Sequence, residues 1–278
     1  MRTSVWVRLV SIVCSVVLAT ALTSGTTASA NGRHANGPHA RSPHASFSYL
    51  MGAKARWNPC KAIRFRVNLK HAHHRKKSLR DIKRAARKVR HVSGLRLRYT
   101  GRTSRVPGAR GRRGKHPRNT DIVLAWVKPG HNRYFPKTPG SGGYALAYGG
   151  AYATGSWPGH RTRELFNGYV AISRDHQLRP GFGAASFGGT MMHELGHVVG
   201  LGHVNDTSQI MNPYDTGRRR ARWGRGDRAG LRSIGARNGC IRGSVRTHPR
   251  RALRRSHPIP AASYAGIVSA DGSRRQRG

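Results

Sequence analysis

His193 and His197 stand four residues apart with Glu194 between them, in the run His193-Glu194-Leu195-Gly196-His197. On a helix this spacing puts both imidazoles on one face, where they can grip a single cation while the carboxylate addresses its open side. A third imidazole, His203, follows after Gly200-Leu201-Gly202. Gly200 suits the left-handed conformation that ends a helix and turns the chain back toward the metal. Three neutral imidazole nitrogens and one water complete a tetrahedral catalytic zinc site, so the implied chemistry is hydrolysis by an activated water with Glu194 as proton carrier. With 16 histidines in the chain, histidine alone carries little information. Glutamate carries more: only Glu164 and Glu194 occur, and one of them occupies the required position.

These residues need a scaffold, and the hydrophobic pattern supplies one. A helix over 186–199 carries the pair of imidazoles. Ile63-Arg64-Phe65-Arg66-Val67 alternates apolar and basic residues, as a half-buried strand does, and Leu95–Tyr99 repeats the pattern. Between them Leu79, Ile82, Ala85, Ala86, Val89 and Val92 form one stripe at helical spacing, which predicts a helix over about 77–92, with Ser78 and Asp81 as its capping box. Asp121–Val127 is nearly unbroken apolar and reads as the central strand, buried on both faces. Residues 144–153 predict a short irregular strand with glycine kinks, Tyr169–Ser173 another strand, and 225–234 a last helix. Residues 101–118 and 128–143 read as loops, and Glu164 as a solvated loop residue.

The ends differ in composition. Arg2 and Arg8, an apolar run from Leu9 to Leu22 and then Ala28-Ser29-Ala30 have the form of a cleaved export signal over 1–30. Its apolar core is short for a membrane span and no later segment is apolar enough, so no stable membrane insertion is expected and the product is expected to be secreted. Residues 31–50 read as a basic flexible linker, 51–240 as the folded domain and 241–278 as a basic disordered tail. Once Cys14 leaves with the signal, Cys60 and Cys240 remain and can bond in an oxidising compartment. The 278 residues hold 52 Lys and Arg against nine acids, a formal charge of +43. Such a field attracts any polyanion, so non-specific contact with an anionic polymer is expected.

The segment H-E-L-G-H-V-V-G-L-G-H, followed by Met211 in Ser208-Gln209-Ile210-Met211-Asn212-Pro213, resembles the metzincin clan, and the short gap to a Met-x-Pro arrangement is similar to its matrixin branch. The resemblance implies an α+β fold: a twisted, mostly parallel five-stranded sheet, an active-site helix, two further helices and a Met-turn. It implies a zinc endopeptidase with His193, His197 and His203 as ligands, Glu194 as base and then acid, and Met211 packed beneath the metal. It also implies peptide or protein substrates aligned along residues 144–152, with Pro213 and Tyr214 walling the specificity pocket. Tyr214 could alternatively assist the oxyanion. His131, His160 and His176 do not match the spacing of further matrixin metal sites, so one zinc is expected, with calcium left open. Arginine-rich composition with an export signal suggests a bacterial source. The competing reading is a catalytically inactive secreted basic protein that binds anionic wall polymer or nucleic acid.

Overall fold

The computed structural model describes residues 46–51, 55–135, 145–154, 163–215, 219–242 and 268–269. All of them lie in the second of two compact units, Ser42–Gly278. The expected export signal over 1–30 lies outside the described residues, as do 31–45 of the linker and most of 241–278.

Six strands form one sheet in the order β1 (Ala55–Arg56), β6 (Arg163–Ser173), β4 (Ile122–Val127), β2 (Ile63–Asn68) and β3 (Leu97–Arg102), with β5 (Ala147–Ala153) also paired to β6. Every pairing in this sheet is parallel except that of β5 with β6. Five strands of six or more residues thus make the mostly parallel sheet that the sequence implies, and β1 adds two residues to it. The pattern explains the order. Every residue of β4 is buried, as an unbroken apolar run requires when both faces of a strand are covered, whereas β2 buries Ile63, Phe65 and Val67 and turns Arg64 and Arg66 partly outward.

Three α-helices lie among the described residues. Helix α1 (Arg75–Ser93) buries Ile82, Ala85, Ala86 and Val89, packs against α2 (Phe187–Val199) and also meets α3 (Arg225–Ser233). Helix α2 lies against β5, so the His-bearing helix and the antiparallel strand are neighbours. Phe187 stacks on Trp126 of β4 at 5.5 Å and joins the helix start to the sheet. Cys60 and Cys240 are bonded, closing a loop 180 residues apart in sequence. In the chain-entropy account such a closure contributes up to about 5 kcal/mol by restricting the unfolded chain.

Four local expectations need correction. Ser78 and Asp81 do not form a capping box: α1 begins at Arg75, its N-cap position is His74, and Asp81 points into the core to accept the Gly181 N–H at 2.6 Å. Strand β3 starts at Leu97, because Gly94 ends α1 at φ 73° and Leu95 is still turning, with its N–H on the Ser93 hydroxyl. Glu164 is a buried residue of β6, and its charge acts on the buried guanidinium of Arg56. Residues 46–50, read as linker, pack on the domain: the Leu50 N–H bonds the Gly200 carbonyl and the Gly202 N–H the Ser48 carbonyl.

His116, on the loop before β4, donates from Nε2 to the Gly168 carbonyl at 3.0 Å. Burial lowers its pKa, against the opposing pull of that bond and of Asp121. A histidine whose folded pKa lies below its unfolded one favours folding fully above the unfolded value near 6.5, and that contribution is lost as pH falls below it. Chemical denaturation is therefore expected to show lower stability at pH 5 than at pH 7.5, with a smaller drop in His116→Gln. An equal drop in the variant would remove His116 from the account.

Candidate metal centre

Helix α2 is set by its ends. The Ser186 hydroxyl accepts the Gly189 N–H at 3.4 Å, and Gly200, at φ 113°, returns its N–H to the Gly196 and His197 carbonyls. From this turn the chain doubles back, and Ser48 donates to the His203 carbonyl at 2.6 Å. The Val204 N–H bonds the Met211 carbonyl at 3.1 Å, which closes the loop that carries His203 onto the segment containing Met211.

The three imidazoles meet at one point. Nε2 of His193 lies 2.9 Å from Nε2 of His197 and 3.1 Å from that of His203, and the remaining pair is 3.2 Å apart. Nitrogens about 2.0–2.1 Å from a tetrahedral zinc stand about 3.3 Å from one another, so the triangle fits that ion nearly as it stands. The proton inventory agrees. His193 Nδ1 faces the Ile210 carbonyl at 2.7 Å and His197 Nδ1 the Leu201 carbonyl at 2.8 Å. Each must donate there, which leaves the Nε2 lone pairs directed inward. Burial, reinforced by the neighbouring imidazoles, holds His197 well below the usual histidine range, and burial pushes His203 down to about 4. Neutral rings are what metal ligation requires. Among the described residues this is the one cluster of three potential ligands within reach of a common ion.

Glu194 is fully buried beside these rings. The backbone of β5 presses on it: a Cβ added at Gly149 would sit 2.9 Å from Glu194 Oε2 and closer still to the Glu194 carbonyl. Only a glycine lets the strand come so near the carboxylate. Met211 is buried with its sulfur against Gly196, in the middle of the helical pair of histidines. Pro213 is half-buried and Tyr214 exposed, directly after that turn. Tyr214–Asp215 forms β7 and pairs with Val268–Ser269, β8.

Sequence reasoning overlooked Asp227. This buried carboxylate, in the first turn of α3, accepts the N–H groups of Ile210 at 2.7 Å, Met211 at 3.2 Å and Gly224 at 2.8 Å. It therefore clamps the segment whose Ile210 carbonyl orients His193. Its rarity was the available signal, since an acid in so basic a chain stands out.

A parallel sheet with one antiparallel strand beside a helix bearing two of three clustered histidines, and a methionine turn below, is the arrangement of a metzincin. The family model for matrixin, peptidase family M10, matches residues 114–234, and over that stretch the chain is matrixin-like, in keeping with the α+β fold. No curated protein matches the chain at a significant level.

Proposed function

We propose that the protein is a secreted zinc endopeptidase in which His193, His197 and His203 hold one zinc ion and Glu194 moves the proton. The observation that carries this reading is the triangle of inward-facing Nε2 atoms beside a buried carboxylate. Zinc bound by the three imidazoles would supply Lewis acidity, which could polarise a carbonyl and lower the pKa of a water to about 7. Glu194 is placed to accept the proton of the attacking water and to deliver it to the leaving amine, one carboxylate acting first as base and then as acid. Strand β5 runs past Glu194 and offers a backbone along which an extended peptide can align. Met211 packs against Gly196 between the two helical histidines, and Pro213 and Tyr214, which follow it in sequence, are the proposed wall of a specificity pocket. The Cys60–Cys240 bond supports an oxidising destination, and no helix among the described residues is long and apolar enough to cross a membrane.

Elemental analysis of the purified chain tests the ligand set. One zinc per chain is expected, and His197→Ala should bind it at least about 100-fold more weakly, since a buried ligand is lost outright. Undiminished zinc in that variant would contradict the assignment.

A further inference from the structure

Nine acids face 52 lysines and arginines, and the fold places most of those acids inside. Asp81, Asp121, Glu164, Glu194 and Asp227 are all buried. The cationic surplus is left at the surface, and α1 concentrates it. Its 19 residues, RKKSLRDIKRAARKVRHVS, hold nine Lys and Arg and one acid. That acid, Asp81, is turned inward onto the Gly181 N–H and touches one cation of the helix, Arg80, at 3.3 Å. At 100° per residue Lys76, Arg80, Lys83, Arg84, Arg87 and Arg90 fall within an arc of about 120° opposite the buried stripe, and they run for about 21 Å along the axis. Like charges four residues apart repel and oppose the helix. Lys83 lies over the Tyr99 ring at 4.4 Å and Arg84 over Phe182 at 5.1 Å, which restrains those side chains along the ridge.

We propose that this face of α1 binds the phosphodiester backbone of duplex nucleic acid without reading its sequence. A row of cations fixed on one helix face suits a stiff polyanion that carries a charge every ~1.7 Å along its axis. Arginine forks match phosphate oxygens two at a time. The helix has no Asn or Gln and no Phe, Tyr or Trp, so it lacks the usual amide contacts to adenine and contributes none of the large rings on which unpaired bases stack. Lipid is the poorer fit. A helix that lies on a membrane buries an apolar face in it, whereas the apolar face of α1 is already in the core. The large hydrophobics exposed among the described residues, Phe47 and Tyr214, are both elsewhere. This binding is independent of peptide hydrolysis.

Fluorescence anisotropy of a short DNA duplex, titrated with the whole chain over a range of salt, tests the proposal. Two triple variants remove equal charge: Arg80→Gln/Arg84→Gln/Arg87→Gln on α1 and, as control, Arg225→Gln/Arg232→Gln/Arg237→Gln at the far end of the domain's sequence. The α1 triple should bind about tenfold or more weakly at moderate salt, with the slope of log affinity against log salt shallower by about 2–3. The control should lose less than about threefold. Thermal melts check that both remain folded; if the α1 triple does not, Arg87→Gln alone should make the slope shallower by about 1. Equal losses in both triples would show that overall charge binds, not the ridge. Tighter binding to polyglutamate or to anionic vesicles than to DNA would also overturn the proposal, in favour of that partner.

Discussion

Glu194→Gln should lower kcat on a peptide substrate by about 10²–10⁴-fold, the usual worth of a positioned acid–base group, while the protein still folds and binds zinc. The substitution keeps the shape of a fully buried side chain and removes its ability to take a proton. Because Glu194 is not among the clustered nitrogens, zinc affinity should change little. KM should also change little, since the proton moves during the chemical step and not on binding. Steady-state kinetics with zinc measured on the same samples separates the two effects. A variant with unchanged turnover would remove Glu194 from the mechanism, and one that loses zinc in proportion to activity would make it a structural residue.

A second large effect is expected far from the reacting atoms. Asp227→Ala leaves the Ile210 and Met211 N–H groups without their acceptor in a buried setting, and weakens the start of α3 through Gly224. Each orphaned buried donor costs about 1–3 kcal/mol, so a loss of about 3–5 kcal/mol in unfolding free energy is expected from chemical denaturation. The same change frees the segment that holds His193 through the Ile210 carbonyl, and zinc should bind about 10–100-fold more weakly, as when outer supports of metal ligands are removed. Asp227→Asn keeps the volume but presents an amide N–H₂ toward donors, and should fall between wild type and alanine. If stability drops while zinc affinity stays constant, the clamp is structural only and its link to His193 is wrong.

Much of the scaffold was legible in the sequence because its strongest patterns leave few alternatives. The apolar run of β4 has no wet face, so both of its faces had to be covered, and every residue of it is buried. Gly200 marked the end of α2, since a left-handed stop is a local requirement, and the structure adds the Ser186 hydroxyl as its start. Acids were the weak point. Asp81 and Glu164 were assigned to a cap and a loop by neighbours in sequence, but their partners are Gly181 and Arg56, about a hundred residues away in each case. Local pattern does not carry such contacts. Composition did carry a hint: in a chain with nine acids, few are needed on the surface, and those present tend to be where a backbone N–H or a buried arginine calls for charge. The packing of residues 46–50 was hidden for a related reason, as its partners at Gly200, Gly202, His203, Gln209 and Ser233 lie about 150 residues or more away in sequence.

The most direct test of the account is cleavage of an unstructured protein such as casein by the purified chain, after treatment with a zinc chelator and again after zinc is restored. Cleavage should be lost with the metal and regained with it, and should stay absent in Glu194→Gln under the same conditions. A folded, zinc-loaded chain that leaves casein and a broad peptide library intact, or cleavage that survives complete removal of zinc, would contradict it.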